Sequence, residues 1–378
     1  MKKNNLFLMA ALLTAGALAS CVNDNFDEQT AQNSGKEIVF STSTMTRATP
    51  VTAATEIVDF KVWAFESDNN ALINGVKYEQ TAAGATTYKT ANTHYWPASG
   101  DLTFFAISPE TVTGLDNVSV TNTAQSFDYA APTSLTDQAD LMFGTPETNS
   151  VSNGTDVNIK FNHLLSQVSF EAKTASTNLE VEIKEVTICN VKTTATYTNG
   201  TGWGTPTADK ADYSIGLNTA NTTFSTTTVK EITAGDGVLL LVPQEITAWN
   251  TNKTTPKAIT AADAAGEAYV KVKAVIKNVT NPSSPVTIFD EKDASDEFTG
   301  NGAYIYLPIS APAADSNAWV AGHSYKYTMT FGDTATGQSG TGIGFDENGT
   351  PQNLGATAVT ITTSIVDWTT VTPPDLVF

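Results

Sequence analysis

The stretch Val157-Asn158-Ile159-Lys160-Phe161-Asn162-His163-Leu164-Leu165-Ser166-Gln167-Val168-Ser169-Phe170 carries an alternation that changes sides midway. Val157, Ile159, Phe161 and Leu165 share one face, and after Ser166 the apolar side chains move to Val168 and Phe170. Side chains of a strand alternate with a period of two, so a one-residue slip sends the following apolar set to the other face. The next run does the same: Leu179, Val181 and Ile183 are followed by Val186 and Ile188. Paired antiparallel through a turn near Ser176, the two runs would place their slips almost opposite each other. Bulges, or a strand that passes between sheets, are then required, and a sandwich supplies them better than a flat sheet.

The same grammar extends outward in both directions. Ile57 to Phe65 reads as a strand with Val58, Phe60, Val62 and Ala64 on one face. Trp63 and Phe65 on the other imply cover on both sides. Leu102 to Ile107 follows Tyr95-Trp96-Pro97 and stops at Pro109, and Asp140 to Gly144 is a short third strand. The polar, turn-rich run Thr145 to Thr155 reads as a linker. Beyond the opening stretch, strands are expected at Gly237 to Val242, Ala268 to Ile276, Val286 to Phe289, Ala303 to Ile309 and Ser324 to Phe331. No segment of helical length carries an apolar stripe at helical spacing. The expectation is an all-β chain in two domains, residues 48–155 and 156–378. Thr357 to Val371 forms a last strand, with Val359, Ile361 and Ile365 on one face and Val366 and Trp368 on the other. Pro373-Pro374 blocks further pairing there. Such a strand either closes its own sheet or pairs with another molecule.

The amino-terminal stretch reads as delivery apparatus. Met1-Lys2-Lys3 precedes an apolar run, Leu6 to Leu18, of signal-peptide length and too short to span a membrane comfortably. Leu18-Ala19-Ser20-Cys21 resembles a bacterial lipobox, which implies cleavage before Cys21 and acylation of that residue. The plainer reading is a secretory signal, residues 1–20, with an incidental cysteine. A polar spacer leads to Glu37-Ile38-Val39-Phe40-Ser41-Thr42, whose alternation predicts a strand with Ile38 and Phe40 inside. Arg47 is the only arginine in 378 residues. A protease that takes a guanidinium into its specificity pocket therefore has one candidate cut, between Arg47 and Ala48, and residues 21–47 would leave with it.

The formal net charge is −19. It is unchanged when residues 1–47 are removed, because Lys2, Lys3, Lys36 and Arg47 balance Asp24, Asp27, Glu28 and Glu37. Such a surface repels phosphate backbones and anionic headgroups, so no nucleic-acid partner is expected. With Cys21 acylated, Cys189 has no partner within the chain; it sits in a strand-like run and reads as a structural thiol. His94, His163 and His323 have no metal-ligand spacing, and the acidic loops at 290–297 and 346–349 do not match a calcium loop. No phosphate-binding loop or nucleophile elbow occurs. Trp96, Trp203, Trp249 and Trp319 lie near turns, where they would stack on sugars or plug the ends of a core. No catalytic constellation, cofactor or metal is expected.

Taken in order, several patterns resemble the Bacteroidales fimbrillin-like (FimA/Mfa-like) subunits of type V pili. They are Phe60-Lys61-Val62-Trp63-Ala64-Phe65, Tyr95-Trp96-Pro97 with Leu102-Thr103-Phe104-Phe105-Ala106, Phe161 to Phe170, Leu241-Val242-Pro243-Gln244, and Trp319 to Tyr327. The resemblance implies two transthyretin-like β-sandwich domains, export as an outer-membrane lipoprotein, and maturation by an Arg-specific protease. It further implies that Ile38, Val39 and Phe40 are displaced. A donor strand from another pilus subunit, here Val359, Ile361, Ile365 and Trp368, would fill the groove to build an adhesive surface fimbria. A surface lipoprotein that binds glycans without polymerising is the competing expectation.

Overall fold

The computed structural model describes residues 33–44, 56–146, 148, 150–249, 267–332, 343–345, 351–352 and 359–367. Its regular structure is β, interrupted only by short 3₁₀ turns such as Leu135–Asp137. The first strands are β1 (Asn33–Glu37), β2 (Phe40–Thr44), β3 (Asp59–Phe65), β4 (Ala71–Gln80), β5 (Thr87–Lys89), β6 (Tyr95–Pro97), β7 (Thr103–Ser108), β8 (Leu115–Val120), β9 (Gln125–Ala130), β10 (Met142–Pro146) and β11 (Val157–His163). Seven of them close into a barrel in the order β10-β11-β2-β5-β4-β3-β7. Every pair is antiparallel except β11 with β2, which runs parallel.

Alternation accounts for the barrel's interior. Phe60, Val62 and Ala64 of β3 point inward to meet Phe104 and Phe161, while Trp63 and Phe65 point outward and are also buried. Gly144 of β10 faces Phe161 and has no room for a side chain: a Cβ there would lie 2.6 Å from Ile159 Cγ2 and 2.8 Å from the Phe161 ring. Gly75 of β4 has φ +67° where the β3–β4 register shifts, and it lets the Trp63 ring lie against the backbone. This is a bulge that re-aims the strand.

The remaining strands form a sandwich and a cover. β12 (Ser166–Thr174) lies parallel to the strand His323–Phe331, and Val359–Asp367 completes that sheet's edge. β13 (Leu179–Lys192) lies in the facing sheet with β16 (Lys210–Ser214) and the strands Glu267–Asn278 and Ala303–Pro308. β14 (Thr194–Thr198) and β15 (Gly202–Trp203) join β9 and β8 in a four-stranded sheet. That sheet covers the barrel's outer face: Phe143 meets Tyr197 at 5.8 Å between ring centroids, and Trp203 packs on Phe127 and Tyr129.

Both slips in the alternation have a physical cause, and the two causes differ. The first falls where the chain leaves the barrel at the end of β11 and enters the sandwich as β12. The second is a bulge at Lys184, between the pairs Ile183↔Ala274 and Glu185↔Lys273. Three expectations need correction. β12 and β13 do not pair through Ser176; they belong to opposite sheets. The run Thr145 to Thr155 is no interdomain linker, because it connects β10 to β11 and is pinned by Val151 bonding reciprocally with Leu102. A break at 155/156 therefore falls inside the barrel, since β11 is one of its staves.

Candidate functional site

β2 fills a slot between β11 and β5. Its flanks are bound on both sides: Phe40–Thr44 opposes Val157–Phe161 in parallel register, and Phe40 and Ser41 oppose Tyr88 and Thr87. Just before it, the Ile38 N–H donates to the His94 carbonyl at 2.9 Å, and the Val157 N–H donates to the Val39 carbonyl at 2.9 Å. Ile38 and Phe40 are buried and Val39 is half-buried, as the alternation predicts. The Phe40 ring sits in an aromatic box, 4.6 Å from Tyr78, 5.6 Å from Phe104 and 6.3 Å from Phe60 between centroids.

Polar chemistry closes the slot at one point. The Tyr88 hydroxyl donates to the Ile57 carbonyl at 2.8 Å, so its oxygen is left to accept. Thr42, buried on the inward face of β2, supplies a donor at 2.9 Å, and Gln80 is a second partner of the same hydroxyl. Nearby, the Tyr78 hydroxyl lies 3.1 Å from His94 Nδ1. Burial pushes the Tyr88 phenol above its usual range and does the same to Tyr78, where Glu37 adds to the effect. Burial lowers the His94 imidazole, favouring its neutral form as an acceptor. Around the rim, Lys36 donates to the Gly154 carbonyl and lies 3.7 Å from Asp156, and Ser43 donates to Asn158 Oδ1 at 2.9 Å. The slot thus offers two strand edges, an aromatic box and one hydroxyl, which is what an inserted strand needs.

At the other end of the chain, Val359–Asp367 pairs along nine residues with His323–Phe331. Val359 and Ile361 are buried in the sandwich core, Ile365 packs against it half-buried, and Thr363 Oγ1 donates to the Ser310 carbonyl at 3.1 Å. Cys21, Arg47, Ala48 and Trp368 lie outside the described residues.

The remaining chemistry is scattered. His163 Nδ1 lies 2.9 Å from Asp140 Oδ1 in a fully buried pair at the barrel's end, and His323 Nδ1 lies 2.8 Å from Asp315 Oδ2. Among the described residues no three His, Cys, Asp or Glu side chains are grouped to hold a metal. Cys189 is buried, and burial holds its thiol well above the usual range. Trp96, Trp249 and Trp319 are inside the fold, and the Trp203 indole N–H donates to the Leu164 carbonyl.

A family model described as fimbrillin-like matches residues 46–368. The chain belongs to the fimbrillin-like family. The fold of this fimbrillin-like chain is similar to that of a fimbrial protein from Bacteroides vulgatus ATCC 8482, with a TM-score of 0.56 at 15% identity over 88% of this chain and 100% of that one. A second solved structure, described as a cell adhesion protein of Bacteroides uniformis ATCC 8492, aligns over 88% of this chain and 99% of its own at 16% identity and a TM-score of 0.48. No curated protein matches the sequence. Reading the sequence of this fimbrillin-like chain located Ile38 and Phe40 but missed Thr42 and Tyr88. Thr42 shares their parity, so a lone hydroxyl on an inward face was the available signal.

Proposed function

We propose that this protein is a structural subunit of a cell-surface fimbria, matured by proteolysis and assembled by strand exchange. One observation carries the reading: β2 is bonded along both edges and walled by aromatic rings, yet lies on the amino-terminal side of the only arginine. A cut between Arg47 and Ala48 severs β2 from the chain while every other wall of its slot stays attached. Burial of Ile38 and Phe40 is worth about 3–6 kcal/mol in total at roughly 1.5–3 kcal/mol per side chain, an upper bound. That is a large share of a domain's net stability of about 5–15 kcal/mol. A barrel that loses β2 is destabilised until another strand fills the slot.

In this reading Cys21 holds the exported precursor at the outer membrane through lipid, an Arg-specific protease releases it, and a carboxy-terminal strand of the next subunit enters the slot. Such a head-to-tail contact does not close on itself and gives a filament. The role is structural and adhesive and uses no cofactor or metal. A glycan-binding lipoprotein that stacks sugars on Trp96, Trp249 or Trp319 finds those rings inside the fold. The test is the intact mass of protein from its native cells. A chain starting at Ala48 is expected; a lipidated chain starting at Cys21, on cells that carry filaments of this protein, would overturn the reading.

A further inference from the structure

The slot specifies its occupant more narrowly than "an apolar strand". Its three inward places hold a β-branched aliphatic residue, an aromatic ring and a threonine, at Ile38, Phe40 and Thr42. Near the carboxy terminus the same three classes recur at the same spacing in Val366-Asp367-Trp368-Thr369-Thr370. The nearest rival, Val359-Thr360-Ile361-Thr362-Thr363, has an aliphatic residue where the box of Phe60, Tyr78 and Phe104 takes a ring. Its Val359 and Ile361 are moreover committed to the core of their own sandwich, and Thr363 to the Ser310 carbonyl.

We infer that the strand replacing β2 is Val366–Thr370 of a second copy of this chain, with Val366, Trp368 and Thr370 in the places of Ile38, Phe40 and Thr42. The Tyr88 hydroxyl fixes that register. The inference rests on the strand-exchange reading above. Thr42 leaves with β2 and takes one donor to the Tyr88 oxygen with it, while Gln80 and the Ile57 carbonyl stay behind. Thr370 restores that donor, and a strand shifted by one residue presents Asp367 and Thr369 to the aromatic box instead. In the correct register Asp367 and Thr369 take the half-buried outward places of Val39 and Ser41. The Val366 N–H then reaches the His94 carbonyl, as the Ile38 N–H does now. The core strand Val359–Asp367 gives up only its last pairs, with Ser324 and His323, at the edge of its sheet. Val359 and Ile361 stay at home.

Cross-linking on the outward face tests the register without disturbing either core. Ser41 opposes exposed Thr87, so a Ser41→Cys/Thr87→Cys precursor, in a Cys21→Ser background, should form an intramolecular disulfide and validate the position. Full-length Thr87→Cys and Thr369→Cys chains are then mixed, cut with an Arg-specific protease and oxidised. An intermolecular disulfide that appears only after the cut is expected. Cross-linking through Thr362→Cys instead, or filaments that cross-link through neither, overturns the register and leaves strand exchange standing. Absence of any assembly by the cut wild-type chain overturns both. As a second readout, Thr370→Val should speed filament dissociation roughly fivefold, the loss of one neutral hydrogen bond, and Tyr88→Phe in the receiving subunit should erase that difference. An undiminished Thr370→Val effect on Tyr88→Phe subunits overturns the role of the Tyr88 hydroxyl.

Discussion

Phe40 touches three aromatic rings, and none of them can close over the space it fills, because each is fixed on its own stave. Phe40→Ala should therefore lower the stability of the uncut precursor by about 3–5 kcal/mol, measured by denaturant unfolding. His94 gives the same region a dependence on pH. Its folded pKa is lowered, so the stability it contributes is present above the ordinary value of about 6.5 and is lost as pH falls from there toward the lowered one. Protonation also removes Nδ1 as an acceptor for the Tyr78 hydroxyl. The precursor's melting temperature should fall across that window, and His94→Gln should flatten the profile; an identical profile in the variant would remove His94 from the account. Cys189 behaves in the opposite sense: its raised pKa keeps the buried thiol protonated at neutral and mildly alkaline pH. In a chain that lacks Cys21, iodoacetamide at pH 8 should label nothing until denaturant is added.

Strand order, more than strand content, was hidden in the sequence. A two-residue period announces which residues of β3, β7, β11 and β13 are buried, and it placed Ile38 and Phe40 inside. It says nothing about partners. β2 lies beside β11, more than a hundred residues later in the chain, because inward faces from distant segments close a ring together. β14 lies beside β9 because the barrel's outer rings need a lid. Nothing local encodes either contact. The bulge at Lys184 was half legible: the slip in period demanded an irregularity, but only the pairing with Glu267–Asn278 shows that it is an extra residue. Deleting Lys184 should close the bulge, leaving Ile183↔Ala274 and Glu185↔Lys273 as consecutive pairs and Val181 and Ile183 still in the core, so the variant should fold. Lys184→Ala, an exposed change, should cost within about 0.5 kcal/mol. Circular dichroism melts of the two variants give the comparison. Gly144 makes a contrasting case on β10: Gly144→Val drives a side chain into Phe161, and the expected loss is about 1–3 kcal/mol or more.

At the scale of the molecule, barrel and sandwich share a wall. β8 and β9 come from the first half of the chain, β14 and β15 from the second, and the sheet they build buries rings of both. The uncut chain should unfold in one calorimetric transition, and residues 48–155 expressed alone should not fold, since they lack β2, β11 and the lid; two separate transitions would show the shared wall to be weak. Maturation adds its own prediction: Arg47→Ala should leave the melting temperature within a degree or two of wild type while blocking filament growth seen by electron microscopy. The parallel pairing of β2 with β11 carries one last consequence. A strand that takes over the slot in the register inferred above runs in the direction β2 ran, parallel to β11 and antiparallel to β5. Every junction then repeats one orientation. A fibre built by the proposed strand exchange would have two unlike ends, one showing an open slot and the other an unused strand, and a chain bearing only one of these parts should cap it but never extend it.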